Sequence, residues 1–82
     1  MSRPVRLTNR ARRDLQRIGP AVAGQVVEAL ERFAETGHGD VKKLRGVESE
    51  WRLRVSEWRV RFTIGEEALI VLRVLPRGKV YR

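Results

Sequence analysis

Residues 51–64, WRLRVSEWRVRFTI, decide how this chain folds. Trp51, Leu53 and Val55 alternate with Arg52, Arg54 and Ser56; after Glu57, Trp58, Val60, Phe62 and Ile64 alternate with Arg59, Arg61 and Thr63. A period of two over this length is that of strands buried on one side. A two-residue loop at Ser56-Glu57 makes the two runs a hairpin, pairing Val55 with Trp58 and Leu53 with Val60. The same register sets Arg54 opposite Arg59 and Arg52 opposite Arg61. Like charges directly across a ladder cost a few tenths to ~1 kcal/mol per pair. Long arginine stems can simply cover a solvated sheet, but such a face usually mixes both signs. The stacked guanidiniums read as a surface for a polyanion.

The rest of the composition agrees. The 82 residues carry 18 basic and 10 acidic side chains, a net charge of +8, and a pI near 11.4. Such an excess points to an anionic partner, nucleic acid or an acidic protein segment. It is concentrated in the second half, and arginine, which grips phosphate through two parallel N–H groups, dominates it. There is no cysteine, hence no disulfide framework and no thiolate metal site, which fits a reducing cytoplasm. The opening MSRPVRLTN lacks the apolar run of a secretory leader, and no stretch approaches the ~20 apolar residues that span a bilayer. A membrane surface is also disfavoured, because the excess charge lies in strand-like sequence. No carboxylate cluster, glycine-rich phosphate loop or His/Cys ligand set is present, so no metal or nucleotide cofactor is expected.

Outward from the hairpin, residues 1–82 read as a single domain. Arg3 to Leu7 suits a short strand. Thr8 or Asn9 can cap a helix in which Ala11, Leu15 and Ile18 share one face and Arg10, Arg12, Arg13 and Arg17 surround it as a solvated face that could also touch ribosomal RNA. Gly19 ends that helix and Pro20 suits the first turn of the next. There Val22, Val26, Leu30 and Phe33 form a stripe that fades near Thr36. Gly37 to Asp40 reads as a loop, with His38 a solvated residue in it, and Val41 to Gly46 as a short basic stretch. After the hairpin, Gly65-Glu66-Glu67 is a turn and Ala68 to Leu75 a nearly continuous apolar strand, hence central. A three-residue loop pairs Ile64 with Ala68. It sends Ile70, Leu72 and Val74 to the core and sets Arg73 beside Arg59, with Arg77 continuing that face. The expected fold is α+β: a small antiparallel sheet of three to four strands plus an N-terminal strand, with a helical hairpin packed on one face. Trp51 and Trp58, interleaved with the arginines, belong to the core.

The order of elements, Arg12-Arg13-Asp14-Leu15 in the first helix, the Lys43-Leu44-Arg45-Gly46 run, the two Trp-Arg strands and the terminal RVLPRGKVYR resemble the RelE/ParE superfamily of bacterial toxins. The resemblance covers nearly the whole chain and implies a toxin neutralised by a cognate acidic antitoxin. In the RelE branch it implies a metal-independent endonuclease that cuts mRNA on the ribosome, by attack of a ribose 2′-OH on the adjacent phosphate. In the ParE branch it implies a protein that inhibits DNA gyrase without nuclease chemistry. RelE-like positions are filled by Arg52, Arg54, Arg59, Arg77 and Tyr81, which favours an endoribonuclease.

Within that reading Arg59, with Arg54 beside it, would hold the phosphate. Arg77 would stabilise the leaving group or the equatorial oxygens, and Tyr81 would orient the 2′-hydroxyl or stack on a base. Lys42, Lys43, Arg45, Arg61, Arg73 and Lys79 would contact the RNA backbone. The sequence departs from the RelE pattern at the proton acceptor. Pro76 and Lys42 stand where some relatives carry a His or Lys and a Glu, and arginines stand at the two lysine positions of the hairpin. Arginine is a poor base, so catalysis would rest on electrostatics and on positioning by the ribosome.

Overall fold

The computed structural model describes residues 3–44 and 49–78. Its elements run β1 (Val5–Leu7), α1 (Asn9–Ile18), α2 (Pro20–Thr36), β2 (Asp40–Lys43), β3 (Trp51–Val55), β4 (Trp58–Ile64) and β5 (Leu69–Pro76). The strands form one sheet in the order β1-β5-β4-β3-β2, with β1 parallel to β5 and every other pair antiparallel. The α+β architecture is the expected one, and β5 does lie inside the sheet. Asp40 begins an edge strand instead of closing a loop.

Local chemistry explains the helix ends. Thr8 caps α1, its hydroxyl accepting from the Ala11 N–H at 3.1 Å while donating to the Leu72 carbonyl at 3.1 Å. Gly19 ends α1 at φ 101°, a conformation open to glycine, and Pro20 starts α2 where its missing N–H costs nothing. The two helices cover one face of the sheet. Ala11, Leu15, Val26 and Leu30 pack with Leu53, Val60, Phe62, Leu69, Val71 and Val74 in one buried cluster. Phe33 meets Phe62 edge to face at 5.5 Å between ring centres. Trp51 and Trp58 are half-buried against this core, as their alternation implied.

The hairpin register is as expected: Val55 faces Trp58, Arg54 faces Arg59, Leu53 faces Val60 and Arg52 faces Arg61. The turn carries Ser56 at φ 53°, where a two-residue loop of this hand favours glycine. The β4–β5 register differs. Ile64 pairs with Leu69, because the Gly65 N–H bonds the Ala68 carbonyl at 2.8 Å and the loop is one residue longer than three. Leu69 and Val71 therefore fill the core, and Ile70 and Leu72 are half-buried outside it. A bulge between Arg61 and Phe62 then leaves Leu72 unmatched and returns Val74 to the core, opposite Val60. Arg73 consequently faces Arg61, and Arg59 faces Leu75.

Candidate nucleic-acid interface

The arginines that alternate alike in sequence fall into three electrostatic states. Arg73 and Arg61 are neutralised. Asp14, from the buried side of α1, accepts from Arg73 Nε at 2.8 Å and Nη2 at 3.2 Å, and from the Val74 N–H at 2.9 Å. This carboxylate seals the outer edge of β5 beyond the last residue that β1 pairs. Burial opposes its ionisation. The hydrogen bonds from Arg73 and Val74, with the charges of Arg73 and Arg17, outweigh that and hold its pKa below the ordinary carboxylate value. The same pairing pushes the Arg73 pKa up. Glu50, also buried, takes Arg61 Nη2 on both oxygens at 2.8 and 2.9 Å, although Arg61 Nε stays buried without a partner.

Arg52 and Arg54 are loosely compensated. Asp40, opposite Arg54 on β2, lies 3.9 Å from Arg52 Nη2 and 3.8 Å from Arg54 Nη1. The side chain of Arg54 is 55 % exposed, so this attraction is weak and screened. The stack of like charges across the hairpin is thus tolerated partly because β2 and the residue before β3 supply carboxylates that the alternation does not reveal.

Arg59 is in the third state. It is 8 % exposed, and among the described residues no carboxylate pairs with it. Its Nη1 donates to the carbonyls of Ser56 and Trp58 at 2.9 and 3.0 Å. Those bonds pin the guanidinium beneath the hairpin turn and leave Nε and Nη2 without a protein acceptor among the described residues. Lost hydration, first, and then the charges of Arg54, Arg52 and Arg77 push its pKa down, with Glu57 alone pulling it up. A buried cation ringed by cations lacks its counterion, and an anion bound there would relieve all four. Arg77 is fixed to the same turn through its backbone, its N–H donating to the Glu57 carbonyl at 2.8 Å.

Among the residues proposed from sequence, Arg52, Arg54, Arg59 and Arg77 are brought together at one end of the hairpin. Lys42 and Lys43 are exposed on the edge strand β2, with Lys43 Nζ 5.9 Å from the centre of the Trp51 ring. Arg61 and Arg73 are engaged in the ion pairs above. Arg45, Lys79 and Tyr81 lie outside the described residues. His38 is exposed, and it is less remote than its place in the chain suggests, lining a cleft of about 280 Å³ with Asp40 and Arg54. Sequence reasoning missed Asp14 and Glu50. Asp14 had a signal, as the one acid on the Ala11/Leu15/Ile18 face, matching the one charge in β5. Among the described residues no group of three or more His, Asp or Glu side chains is placed to hold a metal ion. No described helix is long and apolar enough to cross a membrane.

Comparison with known proteins places this geometry in a family. No curated protein matches the chain. Among solved structures, it is 29 % identical to a chain of the RelBE2 toxin–antitoxin complex of Mycobacterium tuberculosis, at a TM-score of 0.79 over 94 % of this chain and 100 % of that one. An archaeal RelE–RelB complex from Pyrococcus horikoshii OT3 aligns at 22 % identity and TM-score 0.77, over 98 % and 100 % of the two chains. A mutant of the E. coli toxin RelE in the free state aligns at 18 % identity and TM-score 0.80, over 99 % and 88 %. These last two likenesses are of fold. The model of the ParE toxin of type II toxin–antitoxin systems matches residues 5–81, nearly the whole length. The chain therefore belongs to the ParE toxin family, within the RelE/ParE superfamily to which its sequence pointed, and is the toxin of a type II toxin–antitoxin system.

Proposed function

We infer that this toxin acts on RNA, as a metal-independent endonuclease that cuts ribosome-bound mRNA, and that a cognate acidic antitoxin restrains it. The observation that carries the reading is Arg59: a buried guanidinium without a carboxylate, locked by two carbonyls and surrounded by Arg52, Arg54 and Arg77. A structural arginine has its acid, as the half-buried Arg61 and Arg73 do. One that lacks it is arranged for a ligand's charge, and a phosphodiester supplies that charge in the shape a guanidinium grips.

In the cleavage step the ribose 2′-oxygen attacks the adjacent phosphorus while the bond to the 5′-oxygen breaks. The products are a 2′,3′-cyclic phosphate and a 5′-hydroxyl. Arg59 and Arg54 face the charge that grows on the phosphorane oxygens, and Arg77 faces the departing 5′-oxygen, which takes up a proton from solvent. Glu57, on the turn beside Arg59 and alone in raising its pKa, is the acceptor this end of the hairpin offers for the 2′-hydroxyl proton. Tyr81 is assigned to the base or the 2′-hydroxyl on the sequence resemblance, and Arg52 to the phosphate.

The test adds purified protein to ribosomes translating a defined message and maps the ends. Cuts within codons bearing 2′,3′-cyclic phosphates, lost in Arg59→Ala and Arg77→Ala, are the expected result; intact message sinks the proposal. A second reading is favoured by the family match itself. The ParE branch resembles inhibitors of DNA gyrase, and the RelE-type proton acceptors are replaced here. That reading expects inhibited supercoiling and linear DNA with message untouched.

A further inference from the structure

A cavity of about 340 Å³ opens between α1 and the Trp58/Pro76 end of the β4–β5 ladder. Ile18, Trp58, Val74 and Pro76 give it apolar walls, and Asp14 and Arg73 line it as well. Apolar walls with a few converging polar groups are the make-up of a small-ligand site. The polar pair is also incompletely used. Asp14 Oδ2 takes two hydrogen bonds but Oδ1 takes one, and Arg73 Nη1 has no acceptor among the described residues. One acceptor and one donor thus remain on a rigid ion pair. The cavity adjoins the arginine cluster from the other face of the sheet. Trp58 packs toward the helix-covered core, and Arg59, next in the alternation, belongs to the opposite face, held there by the Trp58 carbonyl. Trp58 and Pro76 form the last pair of the ladder. Beyond them lie the turn and Arg77, joined by the bond from the Arg77 N–H to the Glu57 carbonyl. One rim separates the slot from the guanidiniums.

We propose that this slot holds one base of the RNA strand whose phosphate Arg59 binds, a base with an exocyclic amino group, turned over the hairpin rim and stacked on Trp58. The proposal rests on the reading that the arginine cluster binds RNA, and deepens it by adding a base subsite. Unpaired bases are recognised by stacking on an aromatic ring and by hydrogen bonds along their edges. Trp58, with Ile18 and Pro76 around it, supplies the apolar half of that recognition. Asp14 Oδ1 accepts from the amino group, and Arg73 Nη1 donates to the neighbouring ring nitrogen or carbonyl. Cytosine, adenine and guanine each carry such an amino group. Uracil has a carbonyl where cytosine has its amine, which sets an oxygen against the carboxylate. An apolar peptide side chain would suit the walls but would cover both polar groups without matching either. The cations of the rim suit the phosphates that flank a turned base.

The full chain carrying Trp51→Phe keeps Trp58 as its one tryptophan, so fluorescence reports the slot directly. Short single-stranded RNAs, 2′-O-methylated so that they cannot be cut, are titrated in with cytosine, uracil or no base at each position in turn. A peptide of glutamates and leucines is the control. The cytosine strand should quench Trp58. Removing the base at one position should abolish the quench and weaken binding about ten- to a hundredfold. Uracil at that position should bind about fivefold more weakly than cytosine, or worse. Ile18→Phe, which fills the slot, should weaken the strand that has the base and leave the abasic one unchanged. Arg59→Ala should weaken both alike. Equal binding with and without the base, a quench by the peptide alone, or uracil bound as tightly as cytosine overturns the proposal. The readout needs no cleavage. Intact message on the ribosome beside a base-dependent quench rejects the nuclease and keeps the slot, whereas cut message without such a quench rejects the slot and keeps the nuclease.

Discussion

Arg73, half-buried, and Arg59, buried, are arginines on adjacent strands, and they have opposite fates. Arg73 gives two nitrogens to a carboxylate that also takes a backbone N–H from its own strand, so that helix, side chain and sheet edge share one acid. Arg59 is deeper than Arg73 and has only carbonyl oxygens. The first arrangement is closed and holds α1 to β5. The second is open, stabilised only in part by the fold, with the remaining charge available to something outside it. What separates an arginine paired with an acid from one without is the location of acids far away in the chain.

The contrast is sharpest under mutation. Asp14→Ala leaves Arg73 uncompensated and the Val74 N–H unpaired, and is expected to destabilise the protein by about 3–4 kcal/mol in urea unfolding. A cost below ~1 kcal/mol would mean that water replaces the carboxylate. Arg59→Met should leave stability within about 1 kcal/mol of wild type, because the charge removed was unpartnered, yet reduce message cutting by about a hundredfold or more. Equal losses of stability at the two positions would erase the distinction.

Acid titration tests the closed site alone. Because the folded state holds the Asp14 pKa below its unfolded value of about 3.9, the stabilisation is complete above that value and is lost as pH falls through the lower, folded one. The advantage of wild type over Asp14→Asn should therefore be full at neutral pH and shrink below about pH 4. Glu50→Gln, which keeps the shape but weakens the grip on Arg61, is expected to cost about 1–2 kcal/mol. The smallest effect belongs to the open site: Ser56→Gly, at φ 53°, should stabilise by about 0.5–1 kcal/mol, read as a rise in melting temperature.

The sequence carried the hairpin, its pairing and the helix ends, because each depends on neighbours a few residues apart. Alternation over 51–64 sets the faces, and Thr8, Gly19 and Pro20 set the boundaries. It misplaced Arg73 because a loop one residue longer and a bulge one residue wide add to a slip of two, which restores the faces but not the partners, and neither has a signature in a run as uniformly apolar as ALIVLRVL. The cluster of Arg52, Arg54, Arg59 and Arg77 was legible from alternation and resemblance together. That Arg61 and Arg73 are paired was not, since Glu50 lies outside any alternating or helical pattern and the place of Asp14 on the apolar face of α1 names no partner without the tertiary fold.

The cap of α1 has a consequence for timing. Thr8 reaches the Leu72 carbonyl across 64 residues of chain, and Asp14 meets Val74 across 60. The first helix is thus finished by the last strand, and β5 lies between β1 and β4. As the chain grows from its N-terminus, β1 and both helices emerge early, but β1 has no partner strand until residues 69–76 follow. A nascent copy therefore lacks Arg77, and with it the full arginine cluster, until β5 has been made.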